Sequence, residues 1–102
     1  MPCDSIWLDI EYTEEKKYFT WDKKTFPNAK EMLEKIMNNK RKLVTIIDPH
    51  IKDQQGYFVY DEMVKKKLAV LNEKGEPYVA PCWPVSSVWM DFMNKDCRDY
   101  LA

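Results

Sequence analysis

The feature that most constrains this chain is a pair of apolar runs, each ending in a carboxylate. They are Ile6-Trp7-Leu8-Asp9-Ile10-Glu11-Tyr12 and Leu43-Val44-Thr45-Ile46-Ile47-Asp48-Pro49-His50-Ile51. Runs that are apolar on both faces suit parallel strands covered on each side. Between them lies a helix signature: Pro27 precedes Asn28, which can cap, and Glu31 follows three residues later as in a capping box. Ala29, Met32, Leu33, Ile36 and Met37 then recur at helical spacing as one apolar stripe, expected to pack on the sheet. A strand over 5–10, a helix after Asn28 and a strand over 43–47 predict a right-handed parallel crossover. Pro49 stops the second strand because it has no amide hydrogen to donate. In barrels built of such units, functional groups stand at the C-terminal strand ends, where Asp9 and Asp48 fall.

A closed barrel of eight strand–helix units takes about 250 residues, and this chain has 102. The expected fold class is therefore α/β, a partial (β/α)8 barrel: about two parallel strands, connecting helices and a small hairpin. Thr13 to Asp22 reads as a polar and aromatic connection, anchored by Tyr12, Phe19 and Trp21. A short helix is expected over 60–67. Ala69-Val70-Leu71 and Pro77-Tyr78-Val79 flank the turn residues Glu73-Lys74-Gly75 and suggest the hairpin. Asn94 is placed to cap a last helix running to Leu101. With no internal repeat or linker, residues 1–102 read as one fragment of a barrel domain. Open strand edges and an unfinished barrel predict that the isolated chain lacks the cooperative unfolding of a complete domain.

A formal net charge of -1 offers nucleic acid no basic face. Lys40-Arg41-Lys42 and Lys65-Lys66-Lys67 read as solvated helix ends, where cations suit the negative end of the helix. No apolar run reaches membrane-span length, and no charged start followed by an apolar segment marks a signal peptide. Cys3, Cys82 and Cys97 cannot all pair internally and form no Cys-x-x-Cys set. With His50 the only histidine, no metal site is expected, and the cysteines read as thiols that pack as small apolar groups.

The two strand-end motifs, followed by Cys82-Trp83-Pro84 and Asp91-Phe92 and interleaved with Tyr18-Phe19-Thr20-Trp21-Asp22 and Phe26-Pro27, resemble part of the catalytic barrel of glycoside hydrolase family 31, the retaining α-glucosidases. The Asp-Ile-Glu and Asp-Pro-His-Ile-Lys wording is most similar to that of the family's glucosidase II and neutral α-glucosidase members. The likeness covers nearly the whole chain, and five motifs in order are far more specific than any one. It implies hydrolysis of terminal α-linked glucose from oligosaccharides or N-glycans, no cofactor, a regulatory β subunit as partner, and the endoplasmic reticulum lumen as compartment.

Retention needs two carboxyl groups about 5 Å apart, one a nucleophile and the other an acid and then a base. By resemblance, both lie in motifs later than this chain, so no catalytic residue is assigned. Trp89-Met90-Asp91-Phe92-Met93-Asn94 imitates the family's nucleophile motif, but Cys82-Trp83-Pro84 upstream and Arg98 downstream place it in an earlier segment, where Asp91 packs or caps. Asp9 matches the carboxylate that accepts hydrogen bonds from hydroxyls of the innermost glucose. The bland reading of the same residue is a strand-end cap on a neighbouring amide. Ile10 and Ile51 match side-wall residues of that pocket, and Trp83 an aromatic lining it or simply a packing anchor. Asp48 and His50 are expected behind the site, orienting groups that touch the sugar, or as structural hydrogen-bonding residues. Glu11 is not expected to form an acid/base pair with Asp9.

Departures from the family pattern gather near the end. Val85 stands where a glycine usually follows Trp-Pro, Lys95 where a proline usually follows Asp-Phe-x-Asn, and Ala80-Pro81 where a glycine usually precedes Cys-Trp-Pro. Since glycine serves where φ is positive or backbones approach closely, Val85 is expected to reshape its loop. Two other readings stay open: a catalytically inactive remnant that binds glycans or a partner, and a truncated product without independent function.

Overall fold

A computed structural model describes residues 2–102, which form two compact units, one ending at Ile47 and the other starting at Asp48. The first unit holds the expected crossover. Strand β1 (Ser5–Leu8) pairs in parallel with β2 (Lys42–Thr45), Ser5 opposite Lys42 and Leu8 opposite Thr45. Helix α1 (Ala29–Asn38) lies between them in sequence. Each strand is shorter than its apolar run suggests. β1 stops at Leu8 because Asp9 caps a 3-10 turn over Ile10–Tyr12, so Glu11 sits in a turn and not on an alternating strand.

Tyr12 closes the C-terminal side of this unit. Its hydroxyl donates to the Ile46 carbonyl at 3.0 Å, its carbonyl accepts from the Asp22 amide, and its ring meets Trp21 at 5.2 Å, which in turn meets Phe26 at 5.6 Å. Tyr12 and Trp21 thus act as the expected anchors, whereas Phe19 is exposed, with a positive φ of 65°.

Helix α1 begins at Asn28 as expected, yet the Asn28 side chain makes no cap hydrogen bond. Its apolar stripe is half-buried at Ala29, Met32, Leu33 and Ile36 and 70% exposed at Met37. The helix ends with Lys40 at φ 56°, where the Lys40 amide bonds to Met37 O and the Arg41 amide to Ile36 O. That bond pair is a Schellman ending, which places a solvated lysine where glycine is commonest. Helix α2 (Phe58–Lys65) ends the same way at Lys67, with the Leu68 amide on Met63 O, so Lys65-Lys66-Lys67 is a helix end, as is Lys40-Arg41, while Lys42 opens β2.

The second unit carries an antiparallel sheet in the order β3-β5-β4, from β3 (His50–Lys52), β4 (Val79–Cys82) and β5 (Val85–Trp89). The expected hairpin survives as a single bridge between Leu71 and Pro77, but the main hairpin is β4–β5, which turns at Trp83-Pro84. Pro81 is tolerated because β4 is an edge strand. Ile51 and Val88, opposite each other, join Tyr57, Val59 and Met63 of the α2 region, Leu68, Ala69 and Met90, and Cys97 of α3 (Lys95–Leu101) in one core. Asn94 caps α3, its side chain accepting from the Asp96 amide at 3.0 Å. The sheets of the described residues form no closed barrel.

Candidate functional site

Asp9 follows directly on β1, at the C-terminal end of a strand paired in parallel. Its Oδ1 accepts the Ile10 amide at 2.7 Å, the cap foreseen as the bland alternative, while the residue itself stays exposed. The two roles coexist chemically, since a carboxylate has lone pairs for several donors. Ile10, next along the 3-10 turn, is buried. Three grooves of this unit run along α1 and the residues just before it, one of them lined by Asn28, Glu31, Met32, Lys35 and Ile36. Glu31 there is held by Lys35 at 2.7 Å, an exposed helix-surface pair.

In the second unit, Asp48 and His50 interact. Burial pushes the His50 imidazole below its ordinary pKa, and the Asp48 charge pulls partly back. Ile51 is buried in the core, opposite Val88. Trp83 is 67% exposed at the β4–β5 turn. The register sets His50 against Trp89 at one end of β5, whereas Trp83 lies just beyond Val85 at the other end. Asp48, His50 and Ile51 therefore cluster around β3, and Trp83 stands apart at the hairpin tip. Asp91 makes turn contacts: its Oδ1 accepts the Met93 amide and its carbonyl the Asn94 amide. Among the described residues no group of histidine, cysteine and carboxylate side chains could hold a metal ion, and no helix is long and apolar enough to cross a membrane.

One network escaped the sequence reading. The Asp53 amide donates to Ser86 O at 3.0 Å, the Ser86 hydroxyl donates back to Asp53 Oδ2 at 3.0 Å, and Tyr60 bonds to the same carboxylate. Burial first, and this carboxylate second, push the Tyr60 phenol up. Nothing in the sequence joins residues 33 positions apart, so only the β3–β5 pairing exposes the contact.

A parallel strand–helix–strand crossover with a carboxylate at the end of its first strand is the repeating unit of parallel α/β folds, the TIM barrel among them. The model of the glycosyl hydrolases family 31 TIM-barrel domain matches residues 1–102, and the chain belongs to that family. Glucosidase 2 subunit alpha of Schizosaccharomyces pombe is 52% identical over 99 residues, covering 96% of this chain and 11% of that protein. The structure of an ER glucosidase II heterodimeric complex, of catalytic subunit and binding domain of regulatory subunit, matches with a TM-score of 0.93 at 52% identity, over 98% of this chain and 11% of that one. A glucosidase II alpha subunit structure in an alpha3-Glc2-bound form matches with a TM-score of 0.90 at 52% identity, over 95% and 10%. The chain thus spans about a tenth of the length of the relatives it matches.

Proposed function

We propose that this chain is a segment of a retaining α-glucosidase of the glucosidase II catalytic type, removing terminal α-linked glucose from oligosaccharides or N-glycans. Asp9 accepts hydrogen bonds from hydroxyls of the innermost glucose. Ile10, Ile51 and Trp83 wall the pocket against the C–H faces of the ring. Asp48 and His50 orient the groups behind it. The nucleophile and the acid/base come from sequence outside this segment, so the chain alone supplies binding and no turnover.

The observation that carries this reading is Asp9: an exposed carboxylate at the C-terminal end of a parallel strand. Such a group strengthens its hydrogen bonds as charge develops on the sugar, which lowers the barrier more than it tightens ground-state binding. The heterodimeric relative supports a regulatory β subunit as partner of the whole protein, and the endoplasmic reticulum lumen as its compartment.

The test replaces the matching segment of the fission-yeast subunit with this chain and compares Asp9 with Asp9→Asn. Asparagine keeps the size and loses the charge, so kcat/KM for an aryl α-glucoside should fall by about 100-fold or more, the equivalent of one or two charge-assisted hydrogen bonds. The melting temperature should be unchanged. Equal efficiency for both proteins would reduce Asp9 to the cap on Ile10.

A further inference from the structure

The β4–β5 hairpin joins its last pair, Cys82 and Val85, by Trp83 and Pro84 alone. Two-residue hairpin loops ordinarily need positive φ at their first or both central residues. Pro84 cannot supply it, because its ring fixes φ near about −65°. The left-handed residue therefore falls one position later, on Val85 at φ 78°. A β-branched side chain in that region is strained, and Val85 is 80% exposed, with little packing to offset the cost. Strain of this kind persists only where the surroundings over-determine the backbone.

The next residue is held in that way. Lys52–Ser87 is the last strand pair between β3 and β5, and the Asp53–Ser86 contacts extend the ladder by one further step. Ser86 gives its carbonyl to the Asp53 amide and its hydroxyl to the Asp53 carboxylate, and Tyr60 fastens that carboxylate to α2. We propose that Asp53 is a positioning residue for Trp83: through Ser86 it holds Val85 in its left-handed backbone and so fixes the hairpin tip that carries the indole. The functional consequence rests on the reading of Trp83 as a pocket wall.

The clamp is tested in the full 102-residue chain by a double-mutant cycle. Ser86→Ala is made with Val85 and with Val85→Gly, and exchange of the Asp53 amide hydrogen is followed by NMR. Beside Val85, loss of the hydroxyl should lower protection about tenfold, the worth of a hydrogen bond to a charged group. Beside glycine, which adopts positive φ without strain, the loss should stay within about twofold. Equal losses in both backgrounds overturn the proposal, as does an Asp53 amide that exchanges freely in the unmodified chain. A second arm uses the fission-yeast chimera. There Asp53→Ala should raise KM for an aryl α-glucoside with kcat unchanged, and Val85→Gly should restore it. If Trp83→Ala leaves KM unaltered, the pocket-wall reading fails while the exchange cycle still decides the clamp. If Trp83→Ala raises KM and Asp53→Ala does not, the positioning role fails.

Discussion

Met63, Val88 and Cys97 of the second unit are completely buried within one continuous core, whereas α1 of the first unit has no buried residue and Trp7 on β1 is 70% exposed. Both regions carry amphipathic helices and β-branched strands, so composition does not separate them. Connectivity does. An antiparallel sheet closes through short turns and can bury one face against its own helices, as β3, β4 and β5 do with α2 and α3. A parallel pair needs neighbours on both edges and covers on both faces, and two strands with one helix cannot supply them. The expectation that the whole isolated chain lacks a cooperative transition is replaced by a narrower one: the first unit should lack it, whereas the second has the core for a transition of its own. Of the residues singled out from the sequence, Asp9 and Ile10 belong to the first unit and Asp48, His50, Ile51 and Trp83 to the second.

The largest contrast is expected from two methionines. Met63→Ala removes a fully buried side chain and should cost about 2–5 kcal/mol in urea unfolding of the second unit. Met37→Ala removes one that is mostly in water and should change stability by no more than about 0.5 kcal/mol. Similar costs would erase the distinction between the units.

A smaller contrast concerns the two asparagines that the sequence marks as helix caps. Asn94→Ala breaks a hydrogen bond to the Asp96 amide and should destabilise the second unit by about 1 kcal/mol. Asn28 makes no such bond, so Asn28→Ala should shift helicity only marginally. A loss at Asn28 matching that at Asn94, read by circular dichroism during denaturation, would show that the first helix is capped after all.

The smallest effect comes from His50. Burial holds its imidazole below the ordinary value of about 6.5. Above that pH neither state is protonated and the group contributes nothing to a pH slope. As the pH falls through 6.5, the unfolded chain takes up a proton that the folded form resists, so the second unit loses stability until the lower, folded value is passed. Urea midpoints should therefore fall from pH 7.5 to 5.5, and His50→Gln should flatten part of that slope. An unaltered slope in the variant would assign the pH dependence to other groups.

Much of this was legible in the sequence because it is written locally. The stripe from Ala29 to Met37 announced α1, the two apolar runs announced the parallel pair, and Asn94 announced α3. The helix α2 lay two residues earlier than its pattern suggested, starting at Phe58. What escaped is held by pairing at a distance. β3 has only three residues behind a proline, and Pro81 and Pro84 argue against strands unless β4 is known to be an edge and Pro84 to lie in a turn. At the site, Asp9 was visible as the acid that ends a strand, but its 3-10 turn was not, since Asp-Ile-Glu-Tyr continues the apolar alternation. Val85 was expected to reshape its loop, and its backbone takes a positive φ of 78°; the Asp53–Ser86 contacts beside it were not legible in the sequence.

Amide hydrogen exchange on the 102-residue chain tests the division between the units most directly. The amides of Leu68 and Asp91, bonded to Met63 O and Leu68 O around the second core, should exchange only with global opening of that unit. The amides of Lys42 and Ile46, bonded to Asp4 O and Leu8 O along the parallel pair, should exchange at least about 100-fold faster. Equal protection in both sets would contradict the division and show that two parallel strands and one helix stand without the rest of a barrel.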